Sequence, residues 1–156
     1  MDVLDQQIVA RLVANARSSY SEIGGVVGLS APAVKRRVDK LLDAGVLRGF
    51  TAVVDPGALG WGTDAFVEVH CRNNVPPAQI RAGLEPLPEV VAAYTVSGAA
   101  DAIVHLRAGG IAHLETALER LRAVDFVDRT VSTVVLSTLL ERTSSVGDQS
   151  TATHSP

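Results

Sequence analysis

Four cations crowd into six positions of this chain: Lys35, Arg36, Arg37 and Lys40. Both lysines of the molecule are among them. Just ahead lie the small residues Ser30, Ala31, Pro32 and Ala33. At about 100° per residue, Val34, Val38 and Leu41 point one way and Arg36 and Lys40 the other, with Lys35, Arg37 and Asp39 on the flanks. A helix divided in this way suits a nucleic-acid duplex. Small leading residues let the first turn approach base edges, and the cations reach base acceptors or phosphates. Ser30 and the helix N-terminus can hold a phosphate oxygen. The bland alternative is a solvated basic face on an ordinary helix bundle.

Other reactive side chains offer less. His70, His105, His113 and His154 share no short ligand spacing, so no metal site is expected. His70 and His105 sit mid-strand, could face the same side of a sheet, and read as polar or interface residues. Cys71 is the only cysteine, which excludes a disulfide framework and a cysteine-based zinc site. It lacks a nearby His/Asn arrangement and reads as packing rather than as a nucleophile. Trp61 reads as a packing anchor. No glycine-rich phosphate loop and no GxSxG motif appear, so neither a cofactor nor catalysis is expected.

The elements that must position the basic cluster are legible. Leu4, Ile8 and Leu12 recur every fourth residue, with Val9 and Val13 beside them, under an Asp2 cap with Asp5 in the first turn. The run Ser19-Tyr20-Ser21-Glu22 is a capping box that opens a second helix, which ends at Gly28. Ser30 caps a third helix with Pro32 in its first turn, and Gly45 stops it. A helix, a glycine turn and a basic helix make a helix-turn-helix. Gly24-Gly25 inside the second helix is locally unfavourable and implies a close helix crossing. Residues 46–54 then read as a strand.

The second half alternates: strand 65–72, helix 76–84, strands 90–97 and 102–107, a helix marked by Ile111, Leu114, Leu118 and Leu121, and a long strand 126–139. This β-α-β-β-α-β order is the split βαβ, ferredoxin-like arrangement. Its open, apolar sheet face predicts dimerisation. The fold class expected is therefore α+β. An N-terminal helix-turn-helix domain of winged-helix type spans 1–54 and a linker spans 55–62. A ferredoxin-like βαββαβ domain spans 63–140 and a disordered tail 141–156. The 156 residues carry 14 basic and 17 acidic side chains, a net charge of −3. Residues 1–54 hold seven basic and five acidic side chains, for +2, and the remainder holds seven and twelve, for −5. The split predicts two domains with different tasks. No apolar run approaches the length of a membrane span, the acidic start shows no secretory signal, and a cytoplasmic location is expected.

In this order the motifs resemble the Lrp/AsnC (feast/famine) family of prokaryotic transcriptional regulators over about residues 2–140. The likeness rests on Leu4-Asp5 before Ile8, Arg17 and Ser19 with Glu22-Ile23, Gly28-Leu29-Ser30, and Val34-Lys35-Arg36-Arg37-Val38. Gly45-Val46-Leu47-Arg48-Gly49-Phe50, Val54-Asp55-Pro56 with Leu59-Gly60, Pro88-Glu89-Val90, and Val96-Ser97-Gly98 with Asp101 continue it. The resemblance implies a regulator of amino-acid metabolism or transport genes, not an enzyme. It implies double-stranded DNA with a pseudo-palindromic operator as partner, and a homodimer that assembles to a tetramer or octamer. Its effector is expected to be an amino acid. By the same resemblance Ser97, Gly98, Ala99, Ala100 and Asp101 form the effector loop. Its glycine turn would present N–H groups to a carboxylate, and Asp101 would accept an ammonium group. Ala100 stands where the family pattern often has an aromatic residue; the two alanines would admit a bulkier ligand.

Overall fold

Two carboxylates at the start of the chain close the first helix. In the computed structural model, which describes residues 1–140, Asp2 Oδ1 accepts the Asp5 amide at 2.8 Å and Asp5 Oδ2 accepts the Asp2 amide at 3.0 Å. This reciprocal box starts α1, Val3–Ala14. Ser19 and Glu22 make the same exchange at the start of α2, Tyr20–Val27. Gly28 follows with φ 73°, a left-handed conformation that a Cβ would disfavour, and reverses the chain into α3, Ala31–Asp43. Pro32 lies in the first turn of α3, where a missing N–H costs little. At the far end the Gly45 amide donates to Leu42 O and the Val46 amide to Leu41 O, a Schellman-type closure.

Ile8, Leu12, Ile23, Val34 and Val38 form the core of this unit, with Tyr20, Val27, Leu29, Leu42 and Leu47 packed against it. The strand expected over residues 46–54 is not formed. A strand needs a ladder partner for its backbone groups, and among the described residues no partner faces this segment. Leu47 alone packs inward, and Phe50, Val53 and Val54 are exposed. The unit is thus three helices with no wing strand of its own.

The described chain divides after this unit, Met1–Val53, into a second, Val54–Leu140. A single 3-10 turn, Gly57–Leu59, precedes β1, Thr63–Cys71. Then come α4, Pro77–Leu84; β2, Val90–Thr95; β3, Ala102–Ala108; α5, Ile111–Arg122; and β4, Val127–Val134. The sheet order is β2-β3-β1-β4, antiparallel throughout, the ferredoxin-like arrangement expected. Alternate residues of β1 (Ala65, Val67, Val69) and β3 (Ala102, Val104, Leu106, Ala108) are buried against Ile80 and Leu84 of α4 and Leu114, Ala117 and Leu121 of α5. The last strand is shorter than expected. Its final bond runs from the Val135 amide to Asp64 O, at the start of β1. Beyond that point Leu136 and Leu139, each 96% exposed, have no strand to pair with among the described residues. The tail expected over 141–156 lies outside the described residues.

The two neighbouring glycines of α2 differ sharply. A Cβ on Gly24 would overlap Leu29 O, whereas one on Gly25 would meet nothing within 4 Å. Gly24 does make a close approach, but to the backbone of the turn at Leu29 and Ser30 rather than to a crossing helix; Gly25 has no such role. Gly24→Ala is expected to destabilise the helix-turn-helix by about 1–3 kcal/mol, as overpacking does. Gly25→Ala is expected to stabilise it by up to ~1 kcal/mol. Thermal unfolding of both variants checks this, and equal effects would refute the distinction.

Candidate nucleic-acid interface and ligand loop

The exposed side of α3 is built by subtraction. Val34, Val38 and Leu41 are buried, which turns the opposite side of the helix outward. Of the four clustered cations, two are already engaged within the unit. Lys35 Nζ lies 2.7 Å from Asp39 Oδ2, one turn on, with both side chains exposed. Arg37 Nη1 donates to Asp2 Oδ2 and to Asp5 Oδ1, each at 2.7 Å. Arg37 thereby clamps α3 to the capped start of α1. Its pKa is raised by these two bonds. Asp2 and Asp5 are held below the usual carboxylate range, first by each other's backbone amides and then by Arg37. Arg37, expected on a flank of the helix and among the cations that reach DNA, turns instead to the protein's own acids, because its position on the helix lies beside Leu41 rather than opposite Val34. Arg36 and Lys40 are exposed and enter no ion pair among the described residues.

Ser30 stands at the N-cap position of α3 in extended conformation, but its hydroxyl makes no cap bond. The hydroxyl and the first amides of α3 are therefore available to an anion. Ala31 is half-buried and Pro32 is exposed. Together Ser30, Ala31, Pro32, Arg36 and Lys40 lie along α3 with Lys35 at their side.

Residues 96–101 form the hairpin loop between β2 and β3. Ser97, Gly98 and Ala99 are exposed and Ala100 is buried, so only Ala99 of the two alanines is open to a ligand. Asp101 Oδ2 accepts the Cys71 amide at 2.7 Å, and the Asp101 amide donates to Val69 O at 3.0 Å. The aspartate thus ties the loop to the end of β1, beside the register shift between His70 and Cys71. Its Oδ1 has no hydrogen bond among the described residues and is free to accept one. Burial, followed by the charge and hydrogen bond of Asp101, pushes the Cys71 thiol pKa up, which fits a packing role.

The sheet face away from the helices is mixed rather than apolar. Phe66 stacks on His105 with centroids 4.8 Å apart. Asp64 Oδ1 joins His105 Nε2 at 2.5 Å and Arg107 Nε at 2.9 Å. His70 meets Arg129 Nη2 at 3.1 Å. His70 and His105 share this face, as expected, but each has its own partners.

A model of the AsnC-type helix-turn-helix domain matches residues 1–42, and a model of the Lrp/AsnC ligand-binding domain matches residues 64–145. The chain belongs to the Lrp/AsnC family of transcriptional regulators. An HTH-type transcriptional regulator of Mycobacterium tuberculosis is 52% identical over 142 residues, covering 91% of this chain and 96% of the relative. The structure of Escherichia coli AsnC aligns with TM-score 0.85 at 28% identity, covering 92% of this chain and 97% of that one. A feast or famine regulatory protein of M. tuberculosis, solved with L-methionine, aligns with TM-score 0.84 at 34% identity and the same coverage. The Lrp/AsnC relatives are transcriptional regulators rather than enzymes. No helix among the described residues is long and apolar enough to cross a membrane.

One cluster in the ligand-binding domain escaped sequence reasoning. Glu89, only 2% exposed, directs Oε1 to Arg120 Nη1 at 2.8 Å and to His113 Nε2 at 3.0 Å. His113 Nδ1 accepts the Gly109 amide at 3.1 Å, so Nε2 carries the proton and donates to Glu89. Trp61 lies against the His113 ring at 5.7 Å. Glu89 was visible only as part of Pro88-Glu89-Val90; its partners lie 24 and 31 residues on. Burial pushes its pKa up, but His113, its own backbone amide and Arg120 outweigh this, and the pKa falls below the ordinary value of 4.5. A lowered pKa means that stability is present above the unfolded value and lost as pH falls through the folded one. Glu89→Gln is expected to cost about 1–3 kcal/mol at neutral pH. The melting-temperature gap between wild type and variant should narrow from roughly pH 5 to pH 3. Parallel curves would show that Glu89 does not contribute in this way.

Proposed function

We propose that the chain acts in the cytoplasm as a homodimer, assembling further to a tetramer or octamer, that reads a pseudo-palindromic operator and regulates genes of amino-acid metabolism or transport. The third helix enters the major groove. Ser30, Ala31 and Pro32 approach the duplex, Arg36 and Lys40 supply the principal contacts to bases and phosphates, and Lys35 exchanges Asp39 for a phosphate. Arg37 holds the helix in position. The observation that carries this reading is the selective pairing on α3: Arg36 and Lys40 stay outward and enter no ion pair among the described residues, while Arg37 is bound inward.

An amino acid is the effector in this reading, held at Ser97, Gly98, Ala99, Ala100 and Asp101. The exposed glycine turn offers backbone amides to its carboxylate, and the free Oδ1 of Asp101 accepts its ammonium group. The family's ligand-binding domain and the methionine-bound relative support this. Effector binding would shift the balance between assemblies or the angle of the DNA-binding units.

Binding to the DNA upstream of its own gene, measured across salt concentrations, tests the interface. Affinity should fall steeply with salt. The slope of log K against log salt should shrink by about 0.9 for each phosphate that Arg36→Ala or Lys40→Ala leaves unneutralised. Arg37→Ala should leave the slope nearly unchanged and lower the melting temperature instead. An unchanged slope in Arg36→Ala and Lys40→Ala would overturn the assignment.

A further inference from the structure

We infer that Asp39 gives the DNA-reading helix a preference for cytosine: its carboxylate accepts a hydrogen bond from the N4 amino group of one cytosine in each half-site. The inference rests on the reading of α3 as the helix that enters the major groove, and it adds an acidic, base-selecting residue to that face. At 100° per residue, Asp39 stands about 20° round the helix axis from Pro32 and about 60° from Arg36. It therefore shares the side of α3 that burial of Val34, Val38 and Leu41 turns outward. Its side chain is 48% exposed, so it is open to a partner.

The pairing of Asp39 is one that DNA would undo. Among the described residues its carboxylate meets Lys35 Nζ alone, at 2.7 Å. This is an exposed pair one turn apart, in the weaker order of cation before anion, and such pairs contribute little in water. Arg36, three residues earlier, makes no bond to it. When Lys35 exchanges Asp39 for a phosphate, the carboxylate is left in the groove without its cation. There it loses water and faces the negative potential of both strands. A desolvated carboxylate without a donor is costly, so the complex is stable only where the DNA itself supplies one.

Base edges in the major groove carry two amino donors, cytosine N4 and adenine N6. On adenine the donor stands beside N7, an acceptor that repels a carboxylate. On cytosine only a C–H stands beside it. Thymine presents O4, and guanine presents O6 and N7, all acceptors. A carboxylate at this position thus favours cytosine and penalises the other three bases. The selection comes as much from exclusion as from attraction. A wholly basic face would bind any duplex, whereas one acid on the strip withdraws affinity from sites that lack a donor there. Asp43 shares the outward side and is exposed, but it is the last residue of α3, at the end away from Ser30, Ala31 and Pro32. Its charge repels phosphates whatever the sequence.

Selection of bound sequences from a pool of random-sequence duplex DNA, carried out with the full chain, tests the assignment. Wild type should enrich a motif with one cytosine at symmetry-related positions of the two half-sites. Asp39→Asn should exchange that cytosine for adenine, because an amide pairs with adenine N6 and N7, and should leave the other positions unchanged. In direct titration, replacing the C·G pair by T·A should weaken wild type about fivefold or more, and Asp39→Ala by no more than about twofold. Both variants should melt with wild type, since the Lys35 pair is exposed. Asp43→Asn should raise affinity for all sequences alike. A wild-type motif without that cytosine, or one that Asp39→Asn leaves unchanged, would overturn the inference while the reading of α3 stands. A gain in Asp39→Asn that is equal for every sequence would also overturn it, leaving Asp39 a repulsive charge like Asp43. No enrichment of any duplex by wild type or variant would overturn the reading of α3 itself, and the inference with it.

Discussion

Burial of Val34, Val38 and Leu41 sets which side of α3 faces outward, and Arg37 locks the helix in that setting against the start of α1. Its guanidinium bridges two carboxylates that already cap α1 through backbone amides. The arrangement is mutually reinforcing: the caps place Asp2 and Asp5 together, and the pair of negative charges then recruits the nearest cation of α3. Once Arg37 is fixed there, the helix period carries Arg36 and Lys40 about 60–100° round the axis, away from α1. The same clamp ties α3 to α1; of the small leading residues, the exposed Pro32 lies on the side of the helix that carries those cations, and Ser30 stands at its open N-terminus. A helix carrying four unpaired charges would be a generic polyelectrolyte. Two outward charges, one tethered to Asp39 and one turned inward make a face with a defined register.

Much of this unit was legible because its determinants are local. Capping boxes, a left-handed glycine and a proline in the first turn each act within four residues. Their outcome can be read from spacing alone, and the structure places α1, α2 and α3 accordingly. The Arg37 clamp was not legible in the same way, since its partners lie 32 and 35 residues away. The wheel put Arg37 on a flank, and only tertiary packing decides whether a flank position meets water or another helix. Gly24 and Gly25 make the same point. Sequence marks both as costly, but only the position of Leu29 O separates the one that is required from the one that is not.

In the second unit, alternation of apolar residues located β1 and β3, because both are buried on one side along their whole length. It overran at the edges. Residues 46–54 and 135–139 have strand-like composition, yet a strand is a property of two segments, and neither run finds a second among the described residues. Their exposed apolar side chains, including Phe50, Val53, Leu136 and Leu139, are what such segments show when pairing is absent. The strands expected over 90–97 and 102–107 put a turn between β2 and β3, although β2 ends earlier, at Thr95; the commitment of Asp101 Oδ2 to the Cys71 amide lies beside a register shift in β1 that no spacing rule reveals.

The charge partition gains a structural meaning from these pairings. The second unit carries the excess of acid, and most of its cations are taken up internally: Arg107 by Asp64, Arg120 by Glu89, Arg72 by Asp128, Arg129 by His70 and Arg122 by Thr130. A surface whose positive groups are already paired has less to offer a polyphosphate, whatever its composition. The net charge of −3 therefore says little about nucleic acid, because affinity follows cations that are both exposed and unsatisfied. On α3 these are Arg36 and Lys40. In the second unit only Arg81 joins no such pairing among the described residues.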